Sequence, residues 1–148
     1  MNFVLTDKKR AHWTLDWGAF LFFGDLIFKI WIRHNPEFTW YFFSGFGLEY
    51  FSNPGIAFGL AVPNWLILTI TPVAIFILGQ KFYKQTGFWL LVLGALSNFL
   101  DRLIFGATTD YIRVFTGVIN LADGLIVAGM ILMINRQKNN NQRTKINC

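Results

Sequence analysis

Seven ionisable residues stand inside or beside apolar stretches of this chain: Asp16, Asp25, Lys29, Asp101, Arg102, Asp110 and Asp123. A charge within hydrocarbon is costly, so each is a candidate for function. The other usual hydrolytic groups are missing or misplaced. His12 and His34 flank the first apolar stretch, one on each side, and there is no H-E-x-x-H, so no histidine pair can hold a metal in the apolar region. The serines are Ser44, Ser52 and Ser97, with no G-x-S-x-G and no histidine within an apolar stretch to serve as base. One cysteine, Cys148, excludes a disulfide within the chain and a cysteine-ligated zinc. Any hydrolysis falls to carboxylates.

Two carboxylates cut a peptide bond by sharing one proton. Like charges a few ångströms apart do not both ionise, so one stays protonated near neutral pH. The ionised member takes a proton from water while the protonated member polarises the scissile carbonyl. Asp101, Asp110 and Asp123 all belong to one half of the molecule, and any two of them could form the pair. Simpler readings stand beside this one. Asp101 and Arg102 read first as a local charge pair anchoring a helix end. Asn120 and Asp123, three apart, have the spacing of a helix cap, although a cap is cheaper outside an apolar run. Asp25 and Lys29 are an i, i+4 pair whose first reading is mutual neutralisation.

The elements that must position these groups are membrane helices. Of the 148 residues 54% are hydrophobic and 14% charged, the mean hydropathy is +0.44, and there are 17 Phe and six Trp. Soluble domains carry about 25% charged residues. Four stretches are long enough to cross about 30 Å of hydrocarbon, near 15–32, 57–78, 87–105 and 115–134. The expected fold is an all-α membrane protein, one domain over 1–148, with four transmembrane helices. A small extracytoplasmic β-element is expected between the first two, where aromatic runs surround Ser44-Gly-Phe-Gly47. The first stretch follows a basic segment but carries Asp25 and Lys29 and lacks a small-residue cleavage pattern, so it reads as an uncleaved anchor. The tail 136–148 is expected to be disordered.

The net charge of +5 is distributed as a topology signal, not as a nucleic-acid surface. Lys8, Lys9, Arg10, Lys81, Lys84, Arg136, Lys138, Arg143 and Lys145 fall on one side of a four-span chain, and Arg33, Arg102 and Arg113 on the other. That asymmetry puts both termini in the cytoplasm and Asp110 toward the outer face. The partners expected from this are membrane lipids and no nucleic acid.

Four motifs in order resemble the lipoprotein signal peptidase (signal peptidase II) family. Asp25-Leu-Ile-Phe-Lys29 is similar to its D-x-x-x-K, and Asn53-Pro-Gly-Ile-Ala-Phe58 to its N-x-G-x-A-F. Leu93-Gly-Ala-Leu-Ser-Asn-Phe-Leu-Asp-Arg102 is similar to G-G-x-x-G-N-x-x-D-R. Asp110-Tyr111 and Asn120-Leu-Ala-Asp123 are similar to V-x-D-F and F-N-x-A-D. The resemblance implies a multi-pass aspartic endopeptidase of the bacterial cytoplasmic membrane. It would cut diacylglyceryl-modified prolipoproteins before the lipidated cysteine, without metal or organic cofactor. It makes Asp110 and Asp123 the catalytic dyad. Asn53, Gly55, Asn98, Arg102 and Asn120 would line the site or hold substrate, and Asp25, Lys29 and Asp101 would be structural.

The chain departs from the pattern at Leu93 and Ser97, which replace glycines, at Thr109 and Tyr111 around Asp110, and at Ile119. Ser97 is still small and Tyr111 keeps its ring, so activity is expected to survive. Two rival readings are an inactive relative that binds prolipoproteins and a small proton-coupled transporter using Asp25, Lys29 and Asp123. The transporter needs carboxylates reaching both sides, and the cytoplasmic half of the last three stretches has none.

Overall fold

The computed structural model describes residues 2–56, 60 and 62–146. Ala57 and Phe58 of the second motif, and Cys148, lie outside the described residues. Among the described residues four helices and two hairpins follow in the order α1 (Asn2–His34), β1 (Thr39–Phe43), β2 (Phe46–Asn53), α2 (Asn64–Phe82), α3 (Thr86–Phe105), β3 (Thr108–Val114), β4 (Gly117–Ile119) and α4 (Leu121–Ile146). The architecture is mostly helical with one small antiparallel sheet.

At 1.5 Å per residue α2 and α3 are each about 30 Å long, the thickness of a hydrocarbon core. These two carry an apolar window long and pure enough to cross a membrane. Among the described residues, α1 and α4 do not carry such a window: Asp16, Asp25 and Lys29 interrupt one, and Asp123, Arg136 and Lys138 bound the apolar part of the other. α2 buries none of its residues and exposes Trp65, Ile70, Val73, Phe76 and Ile77. The Thr69 and Thr71 hydroxyls donate back to the Trp65 and Ile67 carbonyls, at 2.8 Å each, so neither is left bare on that apolar surface.

Helices α3 and α4 pack backbone against backbone. A β-carbon on Gly94 would collide with the Ala122 carbonyl, and one on Gly129 would lie 2.5 Å from the Gly87 carbonyl oxygen. Seven residues separate Gly87 from Gly94 and Ala122 from Gly129, so the two close approaches fall on one antiparallel seam. Phe22, Leu90 and Leu125 fill one side of this seam, and Phe88, Leu91 and Met133 the other.

The sheet has the order β1-β2-β3-β4. The first hairpin is the β-element expected between the first two helices. The second corrects the sequence reading, which starts the fourth span near 115. Residues 108–119 instead form β3, a turn at Phe115 with φ 54°, and β4, and α4 begins at Leu121. The apolar run from Phe115 belongs partly to a strand, which periodicity cannot separate from a helix over so short a length. A second correction concerns the tail, which continues α4 to Ile146 rather than leaving the helix at 136.

Between β2 and β3 the register slips. Leu48 faces Ile112 and Phe51 faces Asp110, so Glu49 and Tyr50 together oppose Tyr111. Without that extra residue, Asn53 would lie on the sheet face opposite to Asp110. The bulge turns it to the same face.

Candidate active site

The sheet, the C-terminal end of α3 and the first turn of α4 bring Asp110 and Asp123 into one polar cluster. Asp110 lies on β3 and is 2% exposed. Its Oδ2 accepts from Asn53 Nδ2 at 2.9 Å and its Oδ1 from Asn120 Nδ2 at 2.6 Å. Asp123 is half-buried, and its Oδ1 accepts from Asn98 Nδ2 at 2.9 Å. Asn120 caps α4: its backbone N–H donates to Asp123 Oδ2 at 3.2 Å, and its Oδ1 accepts from the Asp123 N–H at 2.9 Å. This reciprocal pairing is a capping box. One asparagine therefore holds both carboxylates, Asp110 by its side-chain amide and Asp123 by its backbone and cap.

The remaining carboxylates of the cluster are spoken for. Asp25, fully buried, pairs with Lys29 at 2.9 Å. Asp25 Oδ2 also accepts from the Ser97 hydroxyl at 2.5 Å, and Oδ1 accepts from the Tyr111 hydroxyl at 2.7 Å and the Ala122 N–H at 3.2 Å. Asp101 pairs with Arg33 at 3.1 Å and accepts from the Thr109 N–H at 2.5 Å. Among the described residues, Asp110 and Asp123 have no cation within ion-pair distance. They receive neutral amide donors, which stabilise a carboxylate without fixing its charge.

Burial is the main reason the Asp110 carboxyl is pushed up to about 6. The charge of Asp123 adds to that rise, while the amides of Asn53 and Asn120, and more distantly Lys29, oppose it. A carboxyl with a proton affinity near neutrality, beside a second carboxylate, is the arrangement that proton sharing requires.

Arg102 and Asp101 do not pair with each other, which corrects the local charge pair read from their adjacency. They point to different places. Asp101 ties α1 to β3 through Arg33 and Thr109. The Arg102 guanidinium donates to the carbonyl oxygens of Pro54, at 3.4 Å, and Gly55. Arg102 thus holds the segment after β2 against α3, and Asn53 Oδ1 tightens it by accepting from the Gly55 N–H at 3.1 Å. Asn98 is divided in the same manner, with Oδ1 accepting from Lys29 Nζ at 2.7 Å and Nδ2 on Asp123. Asn53, Asn98 and Asn120 bond the two carboxylates directly, whereas Gly55 and Arg102 hold the segment that follows Asn53. Asp16, exposed on α1, has no place in the cluster.

Sequence reasoning passes over three contributors. Arg33 counts there only toward topology, yet it neutralises Asp101. Ser97 and Tyr111 count as tolerated departures, yet both bind Asp25. The usable signal is a hydroxyl at each of two positions where the family pattern has none.

The signal peptidase (SPase) II family profile matches residues 18–137, most of the chain and all of the cluster. The chain belongs to the signal peptidase II family. A lipoprotein signal peptidase of Halothermothrix orenii is 39% identical over 99 residues, covering 60% of this chain and 68% of that protein. One from Beijerinckia indica is 33% identical over 105 residues, covering 60% and 63%. The chain thus spans about two thirds of the length of these relatives. A lipoprotein signal peptidase of Wigglesworthia glossinidia brevipalpis is 29% identical and covers 80% of this chain and 89% of its own. Two solved structures of bacterial membrane enzymes determined by the in meso method share the fold. Their TM-scores are 0.76 and 0.70 at 23% and 24% identity, covering 88% and 84% of this chain and 90% and 91% of theirs. The family and the peptidase class read from the four motifs are borne out, and two apolar helices agree with a membrane enzyme.

Proposed function

We propose that this signal peptidase II family member hydrolyses the peptide bond before a diacylglyceryl-modified cysteine, with Asp110 and Asp123 as the catalytic dyad. The observation that carries the assignment is the sorting of carboxylates by partner. Asp25 and Asp101 are ion-paired, and a carboxylate locked to a cation is a poor proton shuttle. Asp110 and Asp123 are held by amides and by the shared Asn120.

In the resting site the pair holds one proton, which belongs to the pair and not to either residue. Water bound between the carboxylates gives a proton to the ionised member, and its oxygen attacks the scissile carbonyl carbon. The protonated member gives its proton to the carbonyl oxygen, yielding a tetrahedral diol. Collapse breaks the carbon–nitrogen bond. The cysteine nitrogen takes a proton and leaves as the new amino terminus, and the signal peptide leaves with a carboxyl group. One water is consumed, and the pair ends with the single proton it began with.

The placement follows from charge. Four spans with both termini in the cytoplasm put the sheet and the dyad at the outer face, where the acyl chains of a lipidated substrate stay in the bilayer while its peptide enters. In this arrangement α1 and α4 span together with α2 and α3. Asp25, Lys29 and Asp123 turn inward to the cluster, as intramembrane charges do, while Asp16 stays exposed on α1. The whole of 1–148 serves as one domain, with membrane lipids and prolipoproteins as its partners. Both aspartates are present and each is held by an amide donor, which argues against an inactive binding relative.

The test is processing of a purified precursor by the purified protein in detergent or vesicles, followed by mass spectrometry. Cleavage of the diacylglyceryl-modified precursor immediately before its cysteine, with the unlipidated precursor left intact, is the expected result. No cleavage of the lipidated form, or equal cleavage of both, contradicts the proposal.

A further inference from the structure

The dyad comes from two separate elements, a strand and a helix, and what fixes their spacing is not obvious from the dyad itself. Tyr111 is the residue after Asp110 on β3 and is 3% exposed. Its hydroxyl donates to Asp25 Oδ1 at 2.7 Å and accepts from the Leu121 N–H at 3.2 Å. Leu121 opens α4, two residues before Asp123. The same Asp25 oxygen accepts from the N–H of Ala122, the residue just before Asp123. The ring of Tyr111 rests on Phe28 of α1, with centroids 4.5 Å apart, so the hydroxyl is aimed by packing and not by its bonds alone.

We propose that the Tyr111 hydroxyl is a positioning group for the dyad, joining the strand that carries Asp110 to the first turn that carries Asp123, with Asp25 as the common acceptor. This rests on the dyad assignment above. A phenylalanine, usual here in the family pattern, would keep the ring contact and lose both bonds. Ser97, the other hydroxyl departure, belongs to the same device: it donates to Asp25 Oδ2 and, at 3.2 Å, accepts from Lys29 Nζ. Asp25 is thereby held from α1, α3, β3 and α4 at once. Its Oδ1 faces the two dyad-bearing elements and its Oδ2 faces Lys29 and Ser97. Burial and the Asp25 charge raise the Tyr111 phenol, so it stays a donor at any working pH.

Substituting Tyr111→Phe changes no charge near the dyad. Asp25 and Lys29 from α1, and Asp101 and Arg102 from α3, remain, with Arg33 still on Asp101. In the sheet, Glu49 and Arg113 still neutralise each other. A change in how strongly the two carboxyls repel each other therefore reports their separation. If the hydroxyl sets that separation, releasing it weakens the repulsion and draws the two apparent proton affinities of the pair together.

The experiment compares wild type and Tyr111→Phe in two ways, both well below their unfolding temperatures. The first is carboxyl-13C NMR titration of labelled aspartates without substrate, with dyad signals assigned using Asp110→Asn and Asp123→Asn. The second is cleavage of the diacylglyceryl-modified precursor. The proposal expects a narrower split between the two affinities, a kcat lower by about tenfold with KM nearly unchanged, and a narrower pH–rate plateau. An unchanged split overturns it, as do an unchanged kcat and pH profile, even if the variant melts earlier, because a merely structural hydroxyl would lower the melting temperature alone. Failure of the wild type to cleave any precursor would instead strike the proposed function, since the titration needs no substrate.

Discussion

The two halves of the helical bundle solve opposite problems with the same helices. Away from the sheet, α1, α3 and α4 meet through Phe22, Leu90, Leu125, Phe88, Leu91 and Met133, with glycines letting α3 and α4 touch backbone to backbone. Beneath the sheet the same three helices meet through Asp25, Lys29, Ser97, Asn98, Asp101 and Asp123, and nearly every polar atom has a named partner. In an apolar surrounding, shape alone drives the first kind of contact, because burying hydrocarbon in lipid gains little. The second kind is costly unless complete, because an unpaired polar group there loses its full solvation. The apolar half holds the helices at a fixed distance. The polar half uses that distance to place two carboxylates.

If that division is right, damage to each half should look different. The largest effect is expected from Gly94→Leu, at the boundary of the halves. A side chain there drives into the Ala122 carbonyl and into Ile126, so α3 and α4 must separate. Overpacking of a tight contact costs about 1–3 kcal/mol or more, and Ala122 adjoins Asp123. Loss of the folded, detergent-stable protein by size-exclusion chromatography is the expected outcome. A stable and active variant would show that the seam does not set the spacing.

A smaller effect is expected within the sheet, where Glu49 on β2 accepts from Tyr41 Oη at 2.5 Å and pairs with Arg113 on β3. The Arg113 bond, together with the Tyr41 bond and the Arg113 charge, holds the Glu49 carboxyl below its ordinary value of 4.5, against burial. The native state then binds the proton more weakly than the unfolded chain. The stabilisation is complete above pH about 4.5 and is lost as pH falls through the lower native value. Glu49→Gln should therefore lower the melting temperature by a few degrees at pH 7, with the gap to wild type closing at acid pH. A gap that does not depend on pH would mean that the pair acts only through shape.

The sequence made the apolar half easy to see and the polar half only partly so. α3 was legible because its apolar run coincides with a helix, and the β1–β2 hairpin because a Gly-containing turn lies between aromatic runs. The second hairpin was not, since Thr108–Ile119 is too short for periodicity to separate strand from helix. The three acidic candidates Asp101, Asp110 and Asp123 were legible as a set, but the pairing within it was not. In the proposed assignment it turns on Arg33, 68 positions from Asp101 in sequence, which ion-pairs Asp101. The bulge that turns Asn53 toward Asp110 is likewise a matter of register between strands more than fifty residues apart. Family resemblance supplied the pair that local reasoning left open.

In the proposed mechanism Asp110 and Asp123, held by amides and with no cation in ion-pair distance among the described residues, share the proton that cleavage needs. Its most direct test is turnover of a diacylglyceryl-modified precursor by purified Asp110→Asn and Asp123→Asn, each shown to be folded by thermal unfolding in detergent. Each substitution alone should remove cleavage, with kcat lower by at least about a thousandfold, since neither half of a shared-proton pair works alone. Processing near the wild-type rate by either folded variant would contradict it.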